Sequence, residues 1–248
     1  MPRIPINGIE INYEEVGSGR PMVYLAYTID DAAKDWVEHM QKYAAGYRVI
    51  IPDPRGLAGS TRLQEMNPSE WVSDLLAFMD ALSLESVLLV AETLGTRVAV
   101  RFASENPERV QALVLNAVIA GSAPGGDEWR RKRFDPSTIA DDVRKGVEHY
   151  QGASWAEAVE FYLRLHERDD FKSYYDLPAL ASTIKAPTLI IRGDIDEPVH
   201  SIEHARIMHE AIENSWLSIF PNTTFNALTQ RPEESWDLIN RFIDETNS

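Results

Sequence analysis

Short, wholly apolar runs set between amphipathic stretches constrain this chain more than any other feature. VIIP (49–52), SVLLV (86–90) and ALVL (112–115) show no polar alternation, so strands built from them must be covered on both faces. Between them lie stretches with helical spacing, including Trp71, Leu75, Phe78 and Leu82, and the segment from Thr96 to Glu105. Strand, helix and strand in succession make parallel crossovers. The pattern predicts an α/β fold, a mostly parallel central sheet with helices on both faces.

The rest of the chain fits around that centre. IPINGIEINYEEVGSG (4–19) alternates with period two about Asn7-Gly8 and predicts an antiparallel hairpin. MVYLA (22–26) reads as a buried strand, and Trp36, Met40 and Tyr43 mark a helix over 32–43. Between 120 and 183 the rhythm changes to a loop, the basic cluster WRRKR (129–133) and helical stretches such as IADDVRKGVEHY. Strand and helix then alternate again through APTLIIRGD, SIEHARIMHEAI, SWLSIF and EESWDLINRFIDE. The expectation is a core made of 1–119 and 184–248, with 120–183 inserted as a helical cap.

Composition excludes several functions. The 248 residues carry 24 Lys+Arg against 39 Asp+Glu, a net charge of −15, which disfavours nucleic acid and anionic membrane surfaces as partners. With no cysteine there is no disulfide, thiolate ligand or Cys nucleophile. No apolar run is long enough to span a bilayer, and the opening residues lack a signal-peptide core, so a cytoplasmic location is expected. Neither a P-loop, nor G-x-G-x-x-G after a strand, nor a ligand-spaced His/Asp set is present. The expected partner is a small molecule, with no cofactor and no metal. Nothing in the pattern fixes an oligomeric state.

Several stretches, in order, carry a resemblance: NGIEINYEEVGSG, IPDPRGLAGST, NPERVQALVLN, PTLIIRGDIDEPV and RPEESWDLINRFI. Together they resemble the α/β-hydrolase superfamily over nearly the whole chain. That family turns sharply from strand to helix at G-x-S-x-G, raising a nucleophile above the sheet. Here the elbow reads Ala91-Glu92-Thr93-Leu94-Gly95, with Thr93 in the serine's place. A β-branched residue in strained backbone costs about 1–3 kcal/mol, which favours a relaxed elbow. Thr93 is open to two readings, a nucleophile or a turn residue capping the next helix.

By the same resemblance Asp196 is the carboxylate of the triad, and Asp194 ties down its turn. The family's histidine falls at Phe225, and no histidine follows His209. The oxyanion loop reads Ala26-Tyr27 where the family has His-Gly, leaving the main-chain N–H of Thr28 as candidate donor. Tyr27, Thr28, Leu94, Asn116 and Phe225 are expected to line the substrate site.

Other groups are candidates for the missing base. His200 closes the loop carrying Asp196, and His166 lies on a cap helix; the remaining four histidines read as surface residues. Glu92 sits at the carboxyl end of a predicted central strand, where such sheets bind ligands, and either works as a desolvated acid or base or points back into the fold. Asp30 and Asp31 read first as helix caps. The cap's aromatic residues suit a mainly apolar pocket, and WRRKR reads as a solvated edge before an anion site. Three functions compete: acid/base, non-hydrolytic chemistry on a small apolar metabolite; ester or lactone hydrolysis by Thr93 with a displaced base; and binding without catalysis.

Overall fold

The computed structural model describes residues 2–197 and 199–246. β1 (Arg3–Ile6) and β2 (Ile9–Gly17) form the predicted hairpin, with Ile6 opposite Ile9. Asn7 and Gly8 take φ of 47° and 77°, the left-handed pair whose twist suits a two-residue turn. β2 runs antiparallel to β4 (Tyr47–Pro52). The pairings among β4, β3 (Arg20–Leu25), β5 (Val87–Glu92), β6 (Val110–Asn116), β7 (Thr188–Gly193) and β8 (Ser215–Phe220) are all parallel. Across the sheet the order is β1-β2-β4-β3-β5-β6-β7-β8.

The central strands are apolar throughout because alternate side chains enter two different cores. Val87, Leu89 and Ala91 of β5 face the side covered by α2 (Glu70–Ala81) and α3 (Leu94–Glu105), while Leu88 and Val90 face Trp36 of α1 (Ala33–Tyr43) and Trp236 of α11 (Pro232–Thr246). Register decides where the strands end together. Ala91 lies level with Leu25 and with Leu115, and Glu92 with Asn116, so β3, β5 and β6 reach the carboxyl edge side by side. α9 (Ile202–Ala211) and the short α10 (Ala227–Gln230) complete that end of the sheet.

Between β6 and β7 the chain forms α4 (Gly126–Phe134), α5 (Asp141–Gln151), α6 (Trp155–Glu167), α7 (Asp169–Tyr174) and α8 (Pro178–Ala181). Their buried residues, among them Phe134, Val147, Phe161 and Tyr175, belong to the same apolar cluster as Trp71 and Val98 of the helices beneath. Polar ties cross the same seam. Gln151 donates to the carbonyl of Ile29 at 2.9 Å, Tyr175 to that of Pro68 at 2.8 Å, and Arg168 to that of Met66 at 2.7 Å. Among the described residues no helix is long and apolar enough to cross a membrane.

Gly193, the last residue of β7, lies against the backbone of the loop after β8, where a Cβ would run into the carbonyl oxygens of Thr223 and Thr224. Neither oxygen can move without its chain. Gly193→Ala is therefore expected to cost about 1–3 kcal/mol. The change should appear as a lower urea midpoint with an unaltered slope.

Candidate active site

β5 ends at Glu92, Thr93 adopts φ 46° and ψ −119°, and α3 starts at Leu94. The turn is tight, contrary to the relaxation expected of a β-branched residue. Two contacts hold it: the Thr93 N–H donates to the carbonyl of Asn116 at 3.1 Å, and Gly95 lies so near β3 that a Cβ would strike the Leu25 carbonyl. Nor does Thr93 cap the helix, since its side chain makes no capping bond. Its Oγ1 is buried without a hydrogen-bond partner.

That hydroxyl belongs to the wall of a cavity of about 340 Å³ lying between the carboxyl edge of the sheet and the inserted helices. Thr28, Glu92, Leu94, His200 and Phe225 line it. Phe225, at the place of the family's histidine, stacks on His200 with centroids 4.0 Å apart and planes 11° from parallel. His200 is thereby fixed on the wall, and its Nδ1 is buried without a partner. Burial, then the Arg130 and Arg192 cations, push its pKa down to about 3, so the ring is neutral. His166 also lines the cavity. Its Nδ1 lies 2.9 Å from the carbonyl of Tyr162, which can only accept, so Nδ1 carries the proton. Burial drives its pKa well down. Neither ring engages Thr93.

Two carboxyls meet at the base of the cavity. Glu92, 2% exposed, accepts from Asn226 at 3.0 Å and Asn116 at 3.5 Å, beside the buried hydroxyl of Tyr24. Asp31, half-buried, accepts from the Trp36 indole and from the Ala32 N–H, each at 2.7 Å, and lies beside Glu92. The expected capping role therefore does not hold for Asp31; the first free N–H of α1, that of Ala33, is taken by Asp53 at 2.8 Å. Desolvation raises both carboxyls, Asp31 far above its usual range with the Glu92 charge adding to the effect. Asp30 stays exposed and receives the Thr28 hydroxyl.

Arginines line the same cavity, and none was singled out individually by sequence. Arg97 and Arg130 are 2% and 6% exposed, while Arg133 lies at the rim against Trp129 and Phe134. Arg97 donates to the carbonyls of Ile119 and Gly121, and its pKa is pushed down to about 10 by burial and by the neighbouring Arg130 cation. The signals were spacing alone: Arg97 stands one helical turn after Thr93, and Arg130 and Arg133 share a helix face. The expected apolar lining is present in Ile119, Phe134 and Val199, but with guanidinium groups among it.

Other expected site residues lie elsewhere. Tyr27 is 3% exposed and packs on Trp71 in the core, because strand alternation after β3 turns it away from the cavity. Asn116 is fully buried and holds Glu92 from behind, away from the cavity wall. Asp196 is exposed; with no histidine to orient, its carboxylate accepts the Ile202 N–H opening α9 at 2.5 Å and pairs with Arg192 at 3.4 Å. Asp194 does tie its turn, accepting from the Thr223 N–H at 3.2 Å. The Thr28 N–H is spent on the Ala26 carbonyl at 3.1 Å, so the expected oxyanion donor is occupied. His39, expected at the surface, is half-buried and accepts from the Trp236 indole at 3.1 Å. Among the described residues no cluster of acidic and histidine side chains could hold a metal.

A mostly parallel sheet with an elbow at the end of its fifth strand, under inserted helices, defines an α/β-hydrolase-type protein. The family described as the alpha/beta hydrolase fold matches residues 23–175, and the chain belongs to it. A 2-hydroxy-6-oxo-2,4-heptadienoate hydrolase of Pseudomonas putida is 29% identical over 240 residues, covering 86% of this chain and 85% of that one. An epoxide hydrolase of Caballeronia sordidicola is 33% identical over 164 residues, covering 63% and 48%. A meta-cleavage product hydrolase from Pseudomonas fluorescens, solved with acetates, superposes with TM-score 0.78 at 22% identity over 99% of this chain and 98% of that one. These relatives are enzymes.

The buried pair makes stability depend on pH. Both carboxyls hold a proton more tightly in the fold than in the unfolded chain, so the stability this contributes is complete below about pH 4 and is lost as pH rises through the raised native values. Asp31→Asn removes one of the two titrations. Melting curves from about pH 4 to about pH 8 are expected to show a smaller fall in Tm for the variant than for wild type.

Proposed function

We propose that this α/β-hydrolase-family enzyme moves protons on a small organic carboxylate and does not hydrolyse it. The observation behind this reading is that the buried Thr93 hydroxyl has no base, in a cavity whose walls hold both neighbouring carboxyls and arginines. A nucleophilic hydroxyl needs a base within hydrogen-bond reach. The arginines favour a ligand with an anionic group, and the apolar residues between them favour a hydrocarbon body, which modifies the wholly apolar metabolite expected from sequence. The Pseudomonas putida relative, named for an oxo acid, is consistent with such a ligand. Acid/base chemistry of this kind needs no cofactor.

Binding of 2-oxobutanoate, followed by ligand-observed NMR, tests the anion seat. Arg130→Gln is expected to weaken binding about tenfold to a hundredfold, the worth of a buried charged hydrogen bond. Thr93→Ala should leave it nearly unchanged. Equal affinity in wild type and Arg130→Gln would remove the carboxylate from the reading.

A second reading, hydrolysis by Thr93, draws on the tight elbow at φ 46° and on His200 in the same wall. It requires covalent capture of Thr93 by a fluorophosphonate, seen as a mass increase that Thr93→Ala abolishes. Under the first reading the folded wild-type protein stays unlabelled and does not cleave p-nitrophenyl acetate above buffer.

A further inference from the structure

Asp31, in the loop after β3, and Glu92, at the end of β5, line one cavity, and the donors around them are committed except for the buried Tyr24 hydroxyl beside Glu92. Trp36 and Ala32 hold Asp31, and Asn226 and Asn116 hold Glu92. Glu92 has almost no surface, whereas Asp31 is half-buried and opens on the cavity, so only Asp31 is placed to touch a ligand freely. β3 and β5 are neighbours, so both carboxyls are brought to one wall of the cavity; two such carboxyls side by side in a desolvated site disfavour double ionisation, and one O–H between them satisfies both.

We infer that Asp31 and Glu92 hold one proton between them and that Asp31 passes it to the ligand, with Glu92 as the positioning residue that keeps Asp31 loaded. This rests on the carboxylate reading above. The fitting substrate class is a small carboxylate with a C–H bond next to a carbonyl. The Asp31 O–H bond breaks as a new O–H bond forms on the substrate's carbonyl oxygen. The adjacent C–H bond breaks, its electron pair forms the enol double bond, and its proton returns to the oxygen Asp31 has vacated. The pair ends with one proton, as it began, and the substrate leaves as its isomer.

Nearby charged and titratable groups define the pH response. Tyr24 lies beside Glu92, Tyr150 of α5 and Asp30 lie near Asp31, and Arg97, Arg130 and the neutral His200 line the same cavity. None of these is the carboxyl beside Asp31; removing Glu92 takes that one away. Glu92→Gln should therefore move the alkaline limb of activity to lower pH, an effect that loss of packing alone does not produce.

Two measurements decide the matter, with circular dichroism confirming that each variant is folded. In infrared difference spectra at neutral pH, wild type minus Asp31→Asn should show the carbonyl stretch of a protonated carboxyl; its absence overturns the inference whatever the substrate is. In D2O, wild type should speed exchange of the C3 hydrogens of 2-oxobutanoate, followed by proton NMR, and Asp31→Asn should lose about a hundredfold or more of that rate. Equal exchange in the two proteins, or binding without exchange in wild type, overturns Asp31 as proton donor. Failure of 2-oxobutanoate to bind counts against the carboxylate reading, and the infrared result then decides the shared proton alone.

Discussion

The carboxyl of Glu92 lies at the end of the central strand with almost no surface, and the architecture of the site follows from making it tolerable there. An ionised carboxylate stripped of water and left unpaired is prohibitively unstable in a protein interior. Here β6 supplies Asn116, the loop before α10 supplies Asn226, and the loop after β3 supplies Asp31. Asn226 also accepts from Asn116 at 2.8 Å and from the Thr229 N–H of α10 at 3.2 Å, so a short helix far away in sequence is tied to the centre of the sheet. Three connections are thus held by one group. The elbow shares this support, because Asn116 receives the Thr93 N–H on its carbonyl while its amide reaches Glu92.

How much of this was legible in the sequence depends on the range of the interactions involved. β4, β5 and β6 declared themselves as apolar runs because burial on both faces imposes that composition locally. Asn7-Gly8 declared the hairpin for an equally local reason, its left-handed backbone. Glu92 was marked by its place at a strand end, but the fact that it meets Asp31 is tertiary, and from sequence Asp31 is indistinguishable from a helix cap. Arg130 and Arg131 are neighbours in one basic cluster, yet one is buried at the cavity and the other pairs with Glu167 on the outside. Helix phase separates them, and only the packing of α4 sets that phase. Tyr27 failed in the opposite sense: it stands beside the site in sequence, and strand alternation carries it into the core.

The acid loop shows how a surviving motif can change its physical job. Arg192, 2% exposed, donates to the carbonyls of Gly193, Ile195 and His200, drawing the loop after β7 into a fixed shape. Asp196 completes that scaffold from the surface by capping α9. The carboxylate that resemblance would assign to chemistry serves the conformation of the loop that carries His200.

The helices over the cavity have no apolar core separate from that of the sheet, since Phe134, Phe161 and Tyr175 pack in one cluster with Trp71 and Val98. A cover built this way cannot swing aside as a unit without opening the protein's main core. Passage into the cavity then falls to individual side chains at the rim, with Arg133 over Trp129 among them.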